Sequence, residues 1–183
     1  MSVKSGFCDE NSVVRHVKAP GPLREAAGFS YQEFSNLEKP LALKGDPLQA
    51  GEDNKVSTWA EFLQLEHAEA VATYDHPFFG KWPAITRNKF GSGQLTYEGT
   101  ELSDTLQAKV IAQELKLANL TGPDQSLPAT VRVKHGTNRS GKKIHYYLNY
   151  SSDSKTLTYT YGAGKDLLTD AAVTPNQTLT LKP

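Results

Sequence analysis

A single cysteine, a single methionine, no surplus of either charge and no long apolar run mark this 183-residue sequence. Cys8 has no second thiol with which to form an internal disulfide or a thiolate metal cage, which is consistent with a reducing compartment. Lys and Arg total 20 and so do Asp and Glu. A net charge of zero argues against a polybasic partner for nucleic acid or a membrane surface, whose affinity needs clustered positive charge. No window approaches the roughly 18 apolar residues of a membrane-crossing helix, and the opening MSVKSGFCDENS has no apolar signal stretch, so a cytoplasmic protein is expected. The chain is too short for a TIM barrel of roughly 250 residues. Its apolar share of 38% implies a modest core, and 14 Gly with 10 Pro imply many loops.

What is present divides into two textures. Ala19-Pro20-Gly21-Pro22 sets a turn ahead of Leu23–Gly28, a short helical segment closed by glycine. Residues 29–37 read as extended. Strand signals follow over 58–67, 68–75, 83–90 and 94–100, with Gly91-Ser92-Gly93 as a hairpin turn. Residues 103–120 form the one long helix: Ser103 caps it, Asp104 suits its positive end, and Ala108, Ile111, Ala112, Leu115 and Ala118 share one apolar face. Strands followed by a helix predict an α/β, β-rich layer over 1–122. Beyond the Pro123–Pro128 boundary the chain alternates over 130–135, 143–150, 155–161 and 178–181. Ile144, Tyr146, Leu148 and Tyr150 share one face, as do Leu157, Tyr159 and Tyr161. Residues 123–183 are thus expected to form a small antiparallel β domain that docks on the first part.

The familiar catalytic patterns are missing. His16, His67, His76, His135 and His145 make no recognised metal spacing with one another, with cysteine or with carboxylates, and there is no nucleophile elbow, P-loop or GxGxxG. No metal and no cofactor are expected. Among the carboxylates, Glu98 beside Gly99 at a strand end and Asp75 beside His76 in a loop are the most site-like candidates for a two-carboxylate hydrolase. The densest segment is Tyr74-Asp75-His76-Pro77-Phe78-Phe79-Gly80-Lys81-Trp82-Pro83. Such an aromatic surface is either packed under a neighbour or used to stack a flat ligand such as a sugar ring, with Trp82, Phe78, Phe79 and His76 as its binding candidates.

The stretch YDHPFFGKWPAITRNKFGSGQLTYEGT (74–100) closely resembles the corresponding part of family 42 glycoside hydrolases, the bacterial β-galactosidases. The resemblance extends to residues 5–37, around Glu10-Asn11 and Pro20-Gly21-Pro22-Leu23-Arg24, to residues 131–151, and to Asp166-Leu167-Leu168-Thr169. Those enzymes consist of a catalytic TIM barrel, an α/β, flavodoxin-like trimerisation domain and a small antiparallel β domain. The chain resembles the latter part of the second and most of the third, with a last strand expected to be missing.

The resemblance implies a partial flavodoxin-like fold over 1–122 and a structural, oligomerising role without the catalytic glutamates, which the family keeps in its barrel. It implies as partners the chain itself or a β-galactosidase catalytic domain, with a galactoside or other sugar in reach, and neither nucleic acid nor membrane. It also implies a sheet edge near Ser5 that needs a partner strand, so that the chain should self-associate or rearrange its sheet. Two other readings stay open: a free-standing small glycosidase built on Glu98 and Asp75, and a carbohydrate-binding module built on Trp82, Phe78 and Phe79.

Overall fold

The structure is a computed structural model describing residues 1–183. It divides into two units, Met1–Asn119 and Leu120–Pro183.

In the first unit a four-residue helix α1 (Arg24–Ala27) ends on Gly28 in the left-handed conformation, φ 70°. Short strands β1 (Phe29–Ser30) and β4 (Gln64–Leu65) pair antiparallel. A second sheet sets β3 (Lys55–Glu61) between β2 (Phe34–Ala42) and β8 (Thr100–Leu102). The third sheet is a meander of β5 (Glu69–Thr73), β6 (Pro83–Phe90) and β7 (Gly93–Glu98). Phe90 pairs with Gly93, so the turn between β6 and β7 is Gly91-Ser92. Gly91 takes the positive φ of 56° that such a tight connection requires.

The long helix α2 runs from Asp104 to Leu117, and its Ser103 hydroxyl accepts from the Leu106 amide. The helix is where the sequence places it, but its buried face is a different one. Leu106 and Val110 are buried among Val56, Ala60, Phe62, Tyr74 and Ile85, whereas Ala108, Ile111, Ala112 and Ala118 lie exposed. Two polar residues favour that orientation: Gln107 donates to Glu98 at 2.9 Å, and Glu114 receives Arg87 at 2.6 Å. A second core joins Ala19, Ala27, Phe29, Tyr31, Leu63 and Tyr97.

The second unit opens on a single 3-10 turn, Pro123–Ser126, and is otherwise built of strands and turns. β9 (Val131–Thr137) pairs antiparallel with β10 (Lys143–Asn149), β11 (Lys155–Thr158) with β14 (Thr178–Leu181), and the short β12 (Gly164–Lys165) with β13 (Ala172–Val173). Val131, Leu157, Tyr159 and Val173 are buried. β10 is turned over relative to its apolar pattern: Tyr146, Leu148 and Tyr150 are exposed, while His145, Tyr147 and Asn149 lie on the more covered face.

The protein is therefore β-rich, with one α-helix of four residues and one of 14. Every named strand pair is antiparallel, and the only parallel pairing is an isolated bridge between Ser2 and Glu98. The helical, parallel character of an α/β layer is correspondingly small. No helix is long and apolar enough to cross a membrane.

Candidate functional site

The aromatic segment predicted from sequence converges on one place. Tyr74, just after β5, is fully buried and its hydroxyl donates to the Gly99 carbonyl at 3.1 Å. His76 closes the next turn, its Nδ1 accepting from the amides of Phe78 and Phe79 at 3.2 and 3.1 Å. The His76 ring stacks on Phe79 with centroids 4.5 Å apart, and Trp82 stacks on the buried Phe62 at 4.4 Å. Phe78 meets Trp82 edge-on and stays half exposed, with the Lys81 ammonium 4.9 Å above its ring. Each such ring pair contributes about 0.5–1.5 kcal/mol beyond area burial. The cluster pins the loop to the core while presenting Phe78 at the surface.

The two candidate carboxylates have different surroundings. Glu98, at the end of β7, is buried and accepts from the Gln107 amide at 2.9 Å. Asp75 is exposed, its amide donates to the Ala42 carbonyl, and no hydrogen bond connects its carboxylate to Glu98.

A third carboxylate escaped the sequence reading. Glu61, at the end of β3, is fully buried and accepts three hydrogen bonds: from the Lys4 amide at 2.8 Å, Tyr97 Oη at 2.8 Å and Trp59 Nε1 at 3.3 Å. Trp59 in turn stacks on Phe34 and lies under the Lys4 ammonium at 4.0 Å. Burial, reinforced by the Glu61 carboxylate, pushes the Tyr97 and Tyr31 hydroxyls up from their ordinary range. Glu61 thereby ties the N-terminal segment to two sheets. In the sequence it is one acid in an alternating run, and nothing local marks it as the inward one.

Two features of the second unit were also missed. An open cleft is lined by Ala129, Thr130, Arg132, Lys134 and Tyr150. It shares the outer side of the β9–β10 ribbon with Tyr146 and Leu148, the cross-strand partners of Lys134 and Arg132. On the other side His135, His145, Asp124 and Tyr161 form a connected polar group. Burial and the adjacent His135 hold His145 below the usual histidine range, while burial and Asp124 raise the Tyr161 hydroxyl.

Packed aromatic rings and a hydrogen-bonded buried carboxylate are the features of a structural module. The chain belongs to the β-galactosidase trimerisation domain family, whose profile matches residues 1–121. It is 29% identical over 168 residues to β-galactosidase LacA of Lactobacillus acidophilus, an alignment covering 90% of this chain and 24% of that protein. It is 32% identical over 113 residues to β-galactosidase BgaB of Geobacillus sp. (strain Y412MC61), covering 62% of this chain and 16% of the relative. The chain thus spans about a quarter or less of the relatives' length. Among solved structures, the β-galactosidase from Bacillus circulans sp. alkalophilus superposes with a TM-score of 0.83 at 23% identity, covering 99% of this chain and 27% of that one. The cold-adapted β-galactosidase from Rahnella sp. R3 gives 0.74 at 25% identity, covering 100% and 28%.

Proposed function

We propose that this chain serves oligomerisation and structural support of a β-galactosidase, the hydrolytic chemistry residing in a separate catalytic part. The observation that carries this reading is the match of the trimerisation-domain profile across residues 1–121. Its partners are then further copies of itself and a β-galactosidase catalytic domain. Any galactoside belongs to that catalytic part, and the assembly is cytoplasmic.

Within this reading residues 1–122 are the later portion of a flavodoxin-like layer, and residues 123–183 are the C-terminal β domain. The parallel contact along β7 supports the first assignment. The Met1 ammonium donates to the Thr96 carbonyl at 2.8 Å, and the Glu98 amide donates to the Met1 carbonyl at 2.9 Å. These bonds use the side of β7 turned away from β6, and Gln94 faces the same way by strand alternation. A strand laid parallel to β7 would continue this pairing toward Gln94. Exposed Phe78, Tyr146, Leu148 and Tyr150 supply apolar surface suited to association.

Two measurements test the proposal. Light scattering of the purified chain should give a mass above 20.1 kDa, with three copies as the expected assembly. A monodisperse monomer with every β7 amide protected from exchange would overturn it. A chromogenic galactoside should not be turned over; turnover abolished by Glu98→Gln or Asp75→Asn would move the assignment to an enzyme.

A further inference from the structure

His135 and His145 lie ten residues apart and match no metal-binding motif, yet the hairpin register makes them direct cross-strand partners. The amide of Asn138 donates to the Lys142 carbonyl, and that of Tyr150 to the Thr130 carbonyl. Counting inward from either end, the His135–His145 pair falls at a position without ladder hydrogen bonds, where side chains of opposite strands approach most closely. The two rings meet nitrogen to nitrogen, with Nδ1 to Nδ1 at 2.7 Å.

The far nitrogen of His135 is held separately. Its Nε2 lies 2.7 Å from Asp124 Oδ2, and Asp124 also accepts from the Tyr161 hydroxyl at 2.8 Å. Tyr161 stacks on the His145 ring with centroids 3.9 Å apart and planes 14° apart. A carboxylate accepting from Nε2–H makes Nδ1 the lone-pair nitrogen of His135. It also orients that ring as carboxylate partners orient metal-bound imidazoles. His145 is free to exchange tautomers, its proton moving from Nδ1 to Nε2, so that both Nδ1 lone pairs can point at one ion without net proton loss. With metal–nitrogen bonds of about 2.0–2.1 Å at tetrahedral or square angles, the two nitrogens need to be about 2.9–3.4 Å apart. In the present contact the two nitrogens point at each other, with ring centroids 4.9 Å apart. The rings must therefore separate by a few tenths of an ångström and also swing for both lone pairs to converge on one ion. His135 is 45% exposed in its side chain, so an ion has access.

We infer that His135 and His145 chelate a divalent transition-metal ion through their Nδ1 atoms, with Asp124 positioning His135. No third His, Cys, Asp or Glu converges on the pair, so water fills the remaining coordination positions. Imidazole donors favour Zn²⁺, Ni²⁺ and above all Cu²⁺ over Mg²⁺. Lys143, two residues from His145 on β10, opposes the ion by repulsion.

The test is calorimetric titration of the chain with Cu²⁺, Ni²⁺, Zn²⁺ and Mg²⁺. One saturable site is expected, tightest for Cu²⁺ and absent for Mg²⁺. His135→Ala and His145→Ala should each abolish it, Asp124→Asn should weaken it about 10–100-fold, and His76→Ala should leave it unchanged. Electron spin resonance of the Cu²⁺ adduct of the unaltered chain should show two coordinated imidazole nitrogens, a readout independent of how the variants fold. Absence of a saturable site, its persistence in the double histidine variant, or a Cu²⁺ spectrum lacking those two nitrogens would overturn the inference.

Discussion

Glu61 carries more connections than any other single carboxylate in the first unit. Its oxygens join the Lys4 amide, the Trp59 indole and the Tyr97 hydroxyl, so Glu61→Leu leaves donors from three segments unpaired. A loss of about 1–3 kcal/mol in urea unfolding is expected, accompanied by faster hydrogen exchange at Lys4. Tyr31 gives the opposite case. Its buried hydroxyl has no hydrogen-bond partner, so Tyr31→Phe should be neutral or stabilising by up to about 1 kcal/mol.

The buried tyrosines also set an alkaline limit. Burial, the larger cause, and Glu61 raise Tyr31 and Tyr97 above the unfolded value near 10. The native state therefore holds protons that the unfolded chain releases. Their contribution is intact below about pH 10 and is lost as pH climbs toward the raised native values. Near-ultraviolet dichroism should show base unfolding setting in above about pH 10, and Tyr31→Phe should shift its midpoint upward. Gly28 is a third position of this kind. An added Cβ would lie 2.6 Å from Asn88 Cγ and 2.7 Å from the Ala68 nitrogen, at a φ of +70°. Gly28→Ala should cost about 1–3 kcal/mol in thermal or chemical unfolding. The role of Gly28 as a helix terminator is legible in the sequence, because glycine closes helices in the left-handed conformation. Its near contact with Asn88 is not, since 60 positions separate the two.

At the scale of elements, existence was easier to read than orientation. The cap at Ser103 and the turn at Gly91-Ser92 depend on chemistry within a few residues and appear where expected. The buried face of α2 depends on what lies across from it. The helix carries two apolar stripes, and the one with Leu106 and Val110 meets the core because Gln107 and Glu114, on the same side, find partners at Glu98 and Arg87. Leu106→Ala is accordingly expected to cost about 2–5 kcal/mol and Ile111→Ala less than about 0.5 kcal/mol, measured side by side in denaturant. β10 repeats the lesson: its apolar alternation was legible, but its tyrosine and leucine side faces outward and a histidine, a tyrosine and an asparagine face in. The aromatic segment 74–83 was the most legible feature of the candidate site, because its residues are close in sequence. The residues around Glu61 come from four separate segments, and nothing short of the fold assembles them.

At the scale of the whole molecule, the exposed apolar residues are the counterpart of a charge-balanced sequence. Association through Phe78 or through Tyr146, Leu148 and Tyr150 would draw on hydrophobic burial, with little contribution from a net charge of zero. The oligomer mass by light scattering should therefore be unchanged or higher in 1 M salt, where the screening length is only about 3 Å. Dissociation at high salt would point instead to ion pairs between copies.

The long-range bonds of the first residues bear on how the chain is made. Met1 finds its partner 95 positions later, and the Lys4 amide finds Glu61 57 positions later. At a synthesis rate of roughly 5–20 residues per second, Met1 waits on the order of 5–20 s for the strand it joins. The β6–β7 hairpin needs only its own two strands and closes within roughly 1–10 μs of their release. During translation the segment Met1–Lys4 is thus made well before the strands that hold it, leaving it open for seconds to chaperones, proteases or another nascent copy.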